Sequence, residues 1–574
     1  MIYRLADNII SPLGETTAEN YQAVKAGHSA LQQHCQKWGT EGTSTISLFS
    51  DEQIKNYTIK GMSRFEGLVF HSVNKAIKET VIDVSSPKTV FILSTTKANV
   101  EGLSENLEDD NIFYPSTAGK HIAEKLGITT EPIIVCNACI SGVSAIILAQ
   151  RLLDAHLYDT AIICGAEIQT KFTLSGFQSL KAVSENECKP FDLERIGMNL
   201  GEAVATLIVS NNSQKNKETW CIEQGAIRND AFHISSPSKN GEGARLALEA
   251  VLHNISADDL ALINAHGTAT MFNDQMESVA IERAGLSTIP VNALKGYFGH
   301  TLGAAGILET IMTMAAIDDN TILSTRGFHE YGVSGKILLF SENTTTSKKC
   351  FVKMISGFGG GNGAILVKKE TGKEPHQEGE EHGVPFIKKT HTIRLTPSSL
   401  TIDGKDFNLP KTDKPLLTAL YKQHVGDYPK FYKMDGLSRL GFIASELLLK
   451  QEKRKRFTPC KDRAIVLINH SSSVCADKKF IQSISDIHNY FPSPSVFIYT
   501  LPNIVTGEIA MRNQYHGETS FYIIHERNDD FIWQLTCTAF ADQTTKSIIS
   551  GWIDYQDDNH FEADIYIAEL KEKQ

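Results

Sequence analysis

Three residues in this 574-residue chain have the chemistry and local surroundings that covalent acyl transfer requires. Cys139 lies in Val135-Cys-Asn-Ala-Cys-Ile-Ser-Gly142, where an apolar run gives way to a helix of small residues. His266 and His300 each lie in a glycine-containing turn. A cysteine thiolate can take an acyl group from another thioester, and two imidazoles can stabilise charge on a second substrate. The three residues together predict an acyl-transfer site, although Cys139 taken alone could equally be a buried structural cysteine.

Each candidate lies where a predicted strand ends or a predicted helix begins. Apolar runs predict six strands and two helices, and the helices are expected to be buried on all faces. The strands are Thr89–Leu93, Pro132–Cys136, Ala161–Cys164, Ala203–Val209, Leu260–Ala265 and Lys336–Phe340. The helices are Ser141–Leu153 and Leu302–Ala316. A helix N-terminus should lower the pKa of the Cys139 thiol, and the Cys139 N–H could donate to a thioester oxyanion. His300, at the start of the second helix, should be a neutral imidazole. Glu309 lies within that apolar helix, so we expect it to have a buried partner.

Composition and charge exclude several classes of protein. The chain is too long for one core, and a net charge of −11 argues against nucleic-acid binding. Its apolar runs are shorter than the roughly 18 residues that a membrane span needs, and its start lacks a signal peptide's apolar centre. Cys136 and Cys139 form a C-x-x-C pair without a second pair, so no zinc site is predicted. We expect a cytoplasmic protein without a metal or cofactor.

The chain divides into three parts. Residues 1–370 alternate strand and helix patterns, 371–383 are a polar linker, and 384–574 start the pattern again. An alternative for the linker is a metal-binding tract using His376 and His382. Four segments are echoed in the same order: Gly61–Phe65 by Gly436–Leu440, Val90–Thr96 by Ile465–Ser471, Ile122–Leu126 by Ile509–Asn513, and Ile163–Glu167 by Ile549–Ile553. In this register the counterpart of Cys139 falls near His525, so the third part is predicted to be non-catalytic.

Residues 1–370 resemble a β-ketoacyl-acyl carrier protein synthase of the elongating Cys-His-His type. The resemblance covers the whole segment in these motifs: Ser11-Pro-Leu-Gly14, Asn137-Ala-Cys-Ile-Ser-Gly142, Gly176-Phe-Gln-Ser-Leu-Lys-Ala-Val-Ser184, Lys189-Pro-Phe-Asp-Leu-Glu-Arg-Ile-Gly-Met-Asn-Leu-Gly-Glu202, Asn264-Ala-His-Gly-Thr-Ala-Thr270 with Asp274 and Glu277, Lys295 to His300, Gly303-Ala-Ala-Gly306 with Glu309, and Gly357-Phe-Gly-Gly360. This family implies an α/β, thiolase-like fold, layered αβαβα with two similar halves.

The resemblance also implies a mechanism, a decarboxylative Claisen condensation with malonyl-acyl carrier protein. Cys139 would carry the acyl group, and His266 and His300 would polarise the malonyl thioester carbonyl. The backbone N–H groups of Cys139 and Phe358 would form a second oxyanion hole. Lys295 would tune His300, Glu309 would anchor the active-site loops, and Phe358 would gate the acyl pocket. The partners implied are acyl carrier protein and either a second copy or a ketosynthase-like subunit.

Two positions and one segment depart from the family pattern. Ser356 stands where a Phe usually precedes the gating Phe, and Ile140 is bulkier than the usual residue after the nucleophile. Some relatives hold a monovalent cation with residues matching Asn264 and Glu309, whereas Val352–Ser356 lacks the usual Ser/Asn pair.

The third part resembles the N-terminal half of the same family, as a partial thiolase-like α/β domain. Its motifs are Phe491-Pro-Ser-Pro494, Tyr499-Thr-Leu-Pro-Asn503 and Gly507-Glu-Ile-Ala510. Ketosynthases with such tails are similar to those of aryl polyene and dialkylresorcinol pigment clusters. Two alternatives remain: a non-catalytic partner of the chain-length-factor type, which Cys139 and both histidines disfavour, and a degradative thiolase, which would need a second cysteine near Ser356.

Overall fold

The structure is a computed structural model that describes residues 1–103, 111–212, 218–371, 387–411 and 413–570. Apart from residue 371, the predicted linker and its alternative metal-binding tract, with His376 and His382, lie outside the described residues. Among the helices of the described ranges, none is both long enough and apolar enough to cross a membrane.

The first half of residues 1–370 builds a five-stranded sheet that is buried on both faces. Its elements are β1 (Ile2–Ile10), α1 (Thr17–Lys25), β2 (Leu31–Cys35), β3 (Thr43–Ser47), α2 (Asp51–Tyr57), α3 (Arg64–Lys78), β4 (Thr89–Ser94), α4 (Pro115–Leu126), β5 (Ile133–Val135), α5 (Ser141–Asp154), β6 (Thr160–Glu167), α6 (Lys171–Ser179), β7 (Leu200–Gly201) and β8 (Ala203–Ser210). The strand order is β5-β4-β6-β8-β1, with β4 parallel to β5 and β6, and β8 antiparallel to β6 and β1. Along β4, Val90 and Ile92 enter one core and Phe91 and Leu93 the other, as expected of a sheet covered on both sides.

The second half of this region, residues 218–371, repeats the arrangement. Its elements are β9 (Glu218–Asn229), α7 (Glu242–Val251), β10 (Leu262–Asn264), α8 (Met271–Arg283), β11 (Pro290–Asn292), α9 (Lys295–Phe298), α10 (Ala305–Asp318), β12 (Thr321–Ile322), β13 (Leu338–Leu339), β14 (Thr344–Thr345), β15 (Cys350–Ser356) and β16 (Gly361–Thr371). The order β11-β10-β15-β16-β9 has the same sequence of two parallel and two antiparallel pairings. The predicted two similar halves are therefore present, and all six predicted strands of residues 1–370 are confirmed within a few residues.

Residues 387–570, called the tail below, form the same five-stranded unit a third time. The elements are β17 (Ile387–Leu395), β18 (Leu400–Ile402), β19 (Lys405–Phe407), α11 (Leu416–His424), α12 (Gly436–Leu449), β20 (Arg463–Asn469), α13 (Val474–Ser485), α14 (Pro494–Tyr499), α15 (Ile504–Asn513), β21 (Thr519–Ile523), α16 (Asp529–Thr538), β22 (Ser547–Asp557) and β23 (His560–Leu570). The order β21-β20-β22-β23-β17 reproduces that of the first sheet. The four sequence echoes fall on the equivalent pairs α3 and α12, β4 and β20, α4 and α15, and β6 and β22.

The tail docks on the first part of the chain through a strand edge. Strand β21 pairs antiparallel with β5, with Tyr522 opposite Val135 and Ile523 opposite Ile134, so the first sheet continues into the tail sheet. Buried ion pairs flank this edge. They are Arg151 to Glu518 at 2.9 and 2.7 Å, Lys97 to Asp477 at 2.7 Å, and Arg228 to Asp542. Removing one partner of a buried pair leaves an uncompensated charge, so this interface is one that opens at high cost.

Helices α5 and α10 form the layer between the first two sheets. Every residue of Ser141–Leu153 is buried, as the sequence predicts. The two helices cross at glycines: a Cβ on Gly142 would lie 2.9 Å from the Ile307 nitrogen, and one on Gly306 would lie 2.5 Å from the Val143 nitrogen. Because the backbones touch at this crossing, the N-termini that follow Cys139 and His300 are brought together.

Candidate active site

Cys139 lies in a strained turn between β5 and α5. A short 3-10 turn, Ala138–Ile140, connects the strand to the helix, and Ala138 has a φ of +50°. A non-glycine residue in the left-handed region marks strain of the kind that collects at functional sites. The thiol is 8% exposed and lines a cavity of about 360 Å³ together with His266 and His300. Cys139, the predicted nucleophile, thus lines a pocket together with both predicted histidines.

The two histidines converge on this thiol. One ligand-capable atom from each of Cys139, His266 and His300 lies within 4.8 Å of the others, and the two rings meet edge to face with centroids 4.9 Å apart. His266 follows β10 and His300 follows α9, so the carboxyl end of a strand and the turn into the buried helix supply one histidine each. A thiol and two imidazoles at this spacing could also accept a zinc ion. The sequence prediction that these residues form one site agrees with their placement.

His300 presents an N–H to the cavity. The backbone N–H of Leu302 donates to His300 Nδ1 at 3.2 Å, so in the neutral ring Nε2 carries the proton. That Nε2 has no hydrogen-bond partner among the residues that the structure describes. Burial, and then the positive charges of Lys295 and Lys353, hold the pKa of His300 well below its usual value. The neutral imidazole expected from the sequence is therefore confirmed, although burial rather than the helix terminus is its main cause.

The expectation of a lowered thiol pKa is wrong for the resting site. Burial raises the pKa of Cys139 to about 12, and the nearby Lys295 opposes this only in part. The side chain lies within protein on nearly all sides, so the desolvation of a thiolate outweighs the helix N-terminus. Cys139 therefore rests as a thiol, which must lose its proton before the sulfur can act in the predicted acyl transfer.

Two carboxylates hold the turn that carries His266. Glu277 accepts from the backbone N–H groups of His266 and Gly267, each at 2.7 Å. Asp274 accepts from the N–H of Thr268 at 3.0 Å and also binds a loop of the first part through the N–H of Phe191 at 2.7 Å. Burial and the Asp274 charge raise the pKa of Glu277 to about 7. These residues reach the reaction through backbone positions, because their oxygens contact the turn rather than the cavity.

Glu309 binds two buried lysines, which answers the expectation that it has a buried partner. Lys295 Nζ donates to Glu309 Oε1 at 2.8 Å and to the His266 carbonyl at 2.6 Å. Lys353 Nζ donates to Glu309 Oε2 and, at 3.3 Å, to the Ala265 carbonyl. Although burial acts to raise the pKa of Glu309, the two ammonium groups together keep it below its usual value. Lys295 thus contacts the His266 turn directly, whereas its effect on His300 is electrostatic.

The turn that carries Phe358 lies between the nucleophile and the tail. A Cβ on Gly357 would lie 3.2 Å from the Cys139 nitrogen, which brings the two predicted oxyanion turns together. On the other side, Asn503 Nδ2 donates to the Phe358 carbonyl at 2.9 Å. Gly507 of α15 packs against the same turn, since a Cβ there would lie 2.6 Å from the Gly359 oxygen. The predicted gate is therefore supported from behind by the tail.

A second, smaller cavity of about 20 Å³ shares Cys139, Phe177 and Phe358 with the first. Residues of both the first part and the tail line the rest of it: Thr96, Lys97, Ala138, Thr173, Leu302, Phe497, Thr500 and Leu501. Phe358 thus borders both spaces. The Phe497 ring closes the smaller one, packing 5.2 Å from the Phe177 ring and over Gly176, where a Cβ would lie 2.1 Å away.

The sequence analysis missed three contributors to the site. Lys353 is a fully buried lysine in an apolar strand, a pattern that signals a buried partner. Glu167 ends the apolar strand β6 and accepts from Thr96 N and Gly303 N, each at 3.0 Å, linking that strand to the turn after His300. Phe497 lies more than three hundred residues from Cys139 in the sequence, and no local pattern connects the two.

Comparison with known proteins identifies the class. Residues 53–215 match the family model for the β-ketoacyl synthase N-terminal domain, and residues 220–329 match that for the C-terminal domain. The chain is 26% identical over 403 residues to 3-oxoacyl-[acyl-carrier-protein] synthase 2 of Vibrio cholerae, an alignment that covers 63% of this chain and 97% of the relative. It is 32% identical over 257 residues to the enzyme of the same name from Rhizobium meliloti, covering 42% and 61%.

Solved structures support the fold over a longer range. The PfaC keto synthase–chain length factor matches 99% of this chain and 78% of its own length with a TM-score of 0.80 at 12% identity. The ketosynthase ApeO of Xenorhabdus doucetiae, solved with its chain length factor ApeC, matches 64% of this chain and 98% of its own length, with a TM-score of 0.56 at 24% identity. The architecture is the thiolase-like fold that the sequence predicts.

The chain carries both domains of the β-ketoacyl synthase family, over residues 53–215 and 220–329. It is an acyltransferase of the kind that extends fatty acid or polyketide chains. These comparisons favour the ketosynthase reading over the degradative thiolase.

Proposed function

We propose that this chain condenses an acyl group held on Cys139 with malonyl-acyl carrier protein. In the first step the Cys139 sulfur attacks the carbonyl of an acyl thioester, and the thiol gives up its proton. The tetrahedral oxyanion is stabilised by the backbone N–H groups of Cys139 and Phe358. It collapses to the acyl-cysteine, and the carrier leaves as a thiol, which takes up the proton that Cys139 gave up.

The second step uses His266 and His300 as hydrogen-bond donors. Their N–H groups bind the thioester oxygen of the malonyl group, where negative charge develops as carbon dioxide departs. The resulting enolate carbon attacks the acyl-cysteine carbonyl and forms the new carbon–carbon bond. Cys139 is then expelled as a thiolate and regains a proton, and the β-ketoacyl product stays on the carrier. The observation that supports this assignment is the convergence of Cys139, His266 and His300 on one cavity.

Replacement of the nucleophile tests the proposal. Cys139→Ala should form no acyl adduct and no condensation product, because no other thiol accompanies the histidines in the cavity lining. Mass spectrometry after incubation with acyl-loaded carrier protein would measure the adduct. Cys35→Ala removes an exposed cysteine and is the matched control, which should acylate like the native chain. Normal elongation by Cys139→Ala would refute the assignment.

We further propose that residues 384–574 are a non-catalytic module of the chain-length-factor type, separated by 371–383 from a catalytic domain formed by 1–370. Two observations support this: the tail's counterpart of the Cys139 turn contains His525, and Phe497, Thr500 and Leu501 line the smaller cavity beside Cys139. With the module docked in cis at β5, the expected association is with acyl carrier protein rather than with a second synthase chain at that edge. The primer and product class extend to aryl polyene or dialkylresorcinol pigments as well as fatty acids. All ten cysteines are unpaired, which supports the cytoplasm as its location.

A further inference from the structure

Glu309 is the point where the chain segments that build the site are joined. It lies on α10, downstream of His300, and its two oxygens bind Lys295 and Lys353 separately. Lys295 begins α9, the helix that leads to His300. Lys353 lies on β15, which runs directly into the turn that carries Phe358. Both ammonium groups also bind carbonyls of the His266 turn, those of His266 and Ala265.

Some ketosynthases hold a monovalent cation with residues that match Asn264 and Glu309, and the residues here do not fit such an ion. Lys353 lies opposite Asn264 in the pairing of β10 with β15, on the same face of the sheet. Its ammonium already takes one oxygen of Glu309 and the Ala265 carbonyl, which are the ligand types that a monovalent cation uses. The other oxygen of Glu309 is taken by Lys295. A mobile cation would lack these ligands and would be repelled by two buried ammonium groups.

We infer that Lys353 is a built-in replacement for that cation and positions the site without help from dissolved ions. The covalently attached charge couples the Phe358 turn, through β15, to the His266 turn and to the helix that follows His300. Among the described residues, Lys353 is not one of those that line the cavity, and it binds Glu309 and the Ala265 carbonyl, so it is a positioning residue rather than a catalytic one. One oxygen of the former ion's ligand set remains available: Asn264 Oδ1 has no hydrogen-bond partner within the described ranges.

The inference predicts how salt identity affects the native chain and a cavity-forming variant. In sodium, potassium and choline chloride at equal ionic strength, the native chain should keep the same melting temperature and the same malonyl decarboxylation rate. Lys353→Ser leaves Glu309, Ala265 O and Asn264 Oδ1 around an open space. This variant should lose roughly 100-fold in decarboxylation kcat in choline chloride, since its turns are misplaced, and recover in potassium or sodium chloride.

Two further variants separate charge from packing. Lys353→Met keeps the volume without the ammonium, so it should lose activity in all three salts and gain no thermal stability from potassium. Lys349→Met removes a half-exposed lysine beside the same strand, paired with Glu218, and should behave like the native chain. The melting temperatures do not depend on the proposed reaction, so a failure of the reaction and a failure of this inference are distinguishable.

Two results would overturn the inference. The first is a native chain whose melting temperature or rate rises in potassium over choline chloride, because this would place a dissolved ion at the site. The second is a Lys353→Ser variant that responds to no cation in either readout. If both substituted chains fail to fold, the comparison of the native chain across the three salts still decides.

Discussion

At the residue scale, the side chains of Cys139, His266 and His300 are all uncharged at rest. The pKa of Cys139 lies at about 12 and those of both histidines lie well below their usual value, in each case mainly because burial disfavours the charged form. No desolvation cost is therefore incurred by charged forms of these three side chains. The charges lie one layer behind, on Lys295, Lys353 and Glu309.

The two histidines should separate the half-reactions. His266→Ala and His300→Ala should still be acylated at Cys139 but should fail to decarboxylate malonyl-carrier protein, since each removes a donor from the malonyl oxygen. A loss of one such donor costs about 100- to 1000-fold in rate. Mass spectrometry of the acyl adduct and carbon dioxide release measure the two steps. A variant that decarboxylates normally but cannot be acylated would contradict this division of roles.

The acid side of the pH profile should be shifted downwards. The geometry described for His300 requires an uncharged ring, in which Nδ1 accepts a hydrogen bond and Nε2 carries the proton. The pKa of both histidine rings lies well below 6.5. The decarboxylation rate should therefore stay level as the pH falls from 7.5 through 6.5, and decline only below that. The contribution of these two rings to folding stability should decline below pH 6.5, because the unfolded chain takes up protons there that the folded rings refuse. An acid limb centred at pH 6.5 would contradict the burial argument.

At the element scale, α14 and the residues that follow it in the tail line the smaller cavity beside Cys139. Phe497 packs among Phe172, Phe177 and Phe480, with ring centroids 5.2 to 6.2 Å from its own. Asn503 binds the Phe358 carbonyl from the next helix. The tail thereby both lines the smaller cavity and contacts the turn of Phe358, the predicted gate.

Shortening Phe497 should lengthen the product. Phe497→Ala should let the chain accept at least one extension cycle more than the native enzyme, because the floor of the smaller cavity opens. The same truncation removes core packing and should cost about 3–5 kcal/mol of stability. Product analysis by mass spectrometry and thermal denaturation measure both effects. Phe491→Ala, at a phenylalanine of the tail that is 78% exposed, is the control and should change neither. An unchanged product length in Phe497→Ala would remove the tail from length control.

Local elements were predictable from the sequence, and long-range contacts were not. The strand Pro132–Cys136 and the buried helix Ser141–Leu153 follow from apolar runs and small residues, and the motifs around Cys139, His266 and His300 predict one site. The pairing of β5 with β21 joins residues almost four hundred positions apart, and no periodicity encodes it. The thiol pKa was predicted in the wrong direction because a helix terminus is visible in sequence whereas the degree of burial is not.

At the scale of the whole molecule, the tail completes a sheet that would otherwise end at an open edge. The edge strand β5 directly precedes the Cys139 turn, and the Asn137 side chain accepts from the Phe521 N–H at 2.6 Å. An unpaired strand at this position would invite other chains. The nucleophile turn therefore depends on the tail for hydrogen bonds as well as for packing.

Removing the tail should destabilise the protein, although the truncated chain keeps Cys139, His266 and His300. A chain ending at Lys369 loses the β21 pairing and leaves Lys97, Arg151 and Arg228 without their acidic partners. We expect a lower melting temperature and self-association or aggregation through β5, measured by thermal denaturation and light scattering. A truncated chain equal to the full one in melting temperature, mass and condensation rate would make the tail dispensable.

A point substitution tests the same interface in the intact chain. Glu518→Ala strands the Arg151 guanidinium and should cost about 3–5 kcal/mol of stability. Glu526→Ala removes a largely exposed glutamate near Lys120, and such surface pairs contribute about 0–1 kcal/mol. Equal melting temperatures for the two variants would show that the buried pair contributes little.

The pairing of β5 with β21 within one polypeptide also changes how the assembly responds to dilution. Two separate subunits must meet at a rate set by their concentrations, whereas a tethered segment faces its docking edge at an effective concentration on the order of millimolar. Assembly here is unimolecular, so Cys139 and the tail are always made on the same chain, at any protein concentration. The tail residues that line the smaller cavity are therefore supplied by the same chain as Cys139 and are not exchanged between chains.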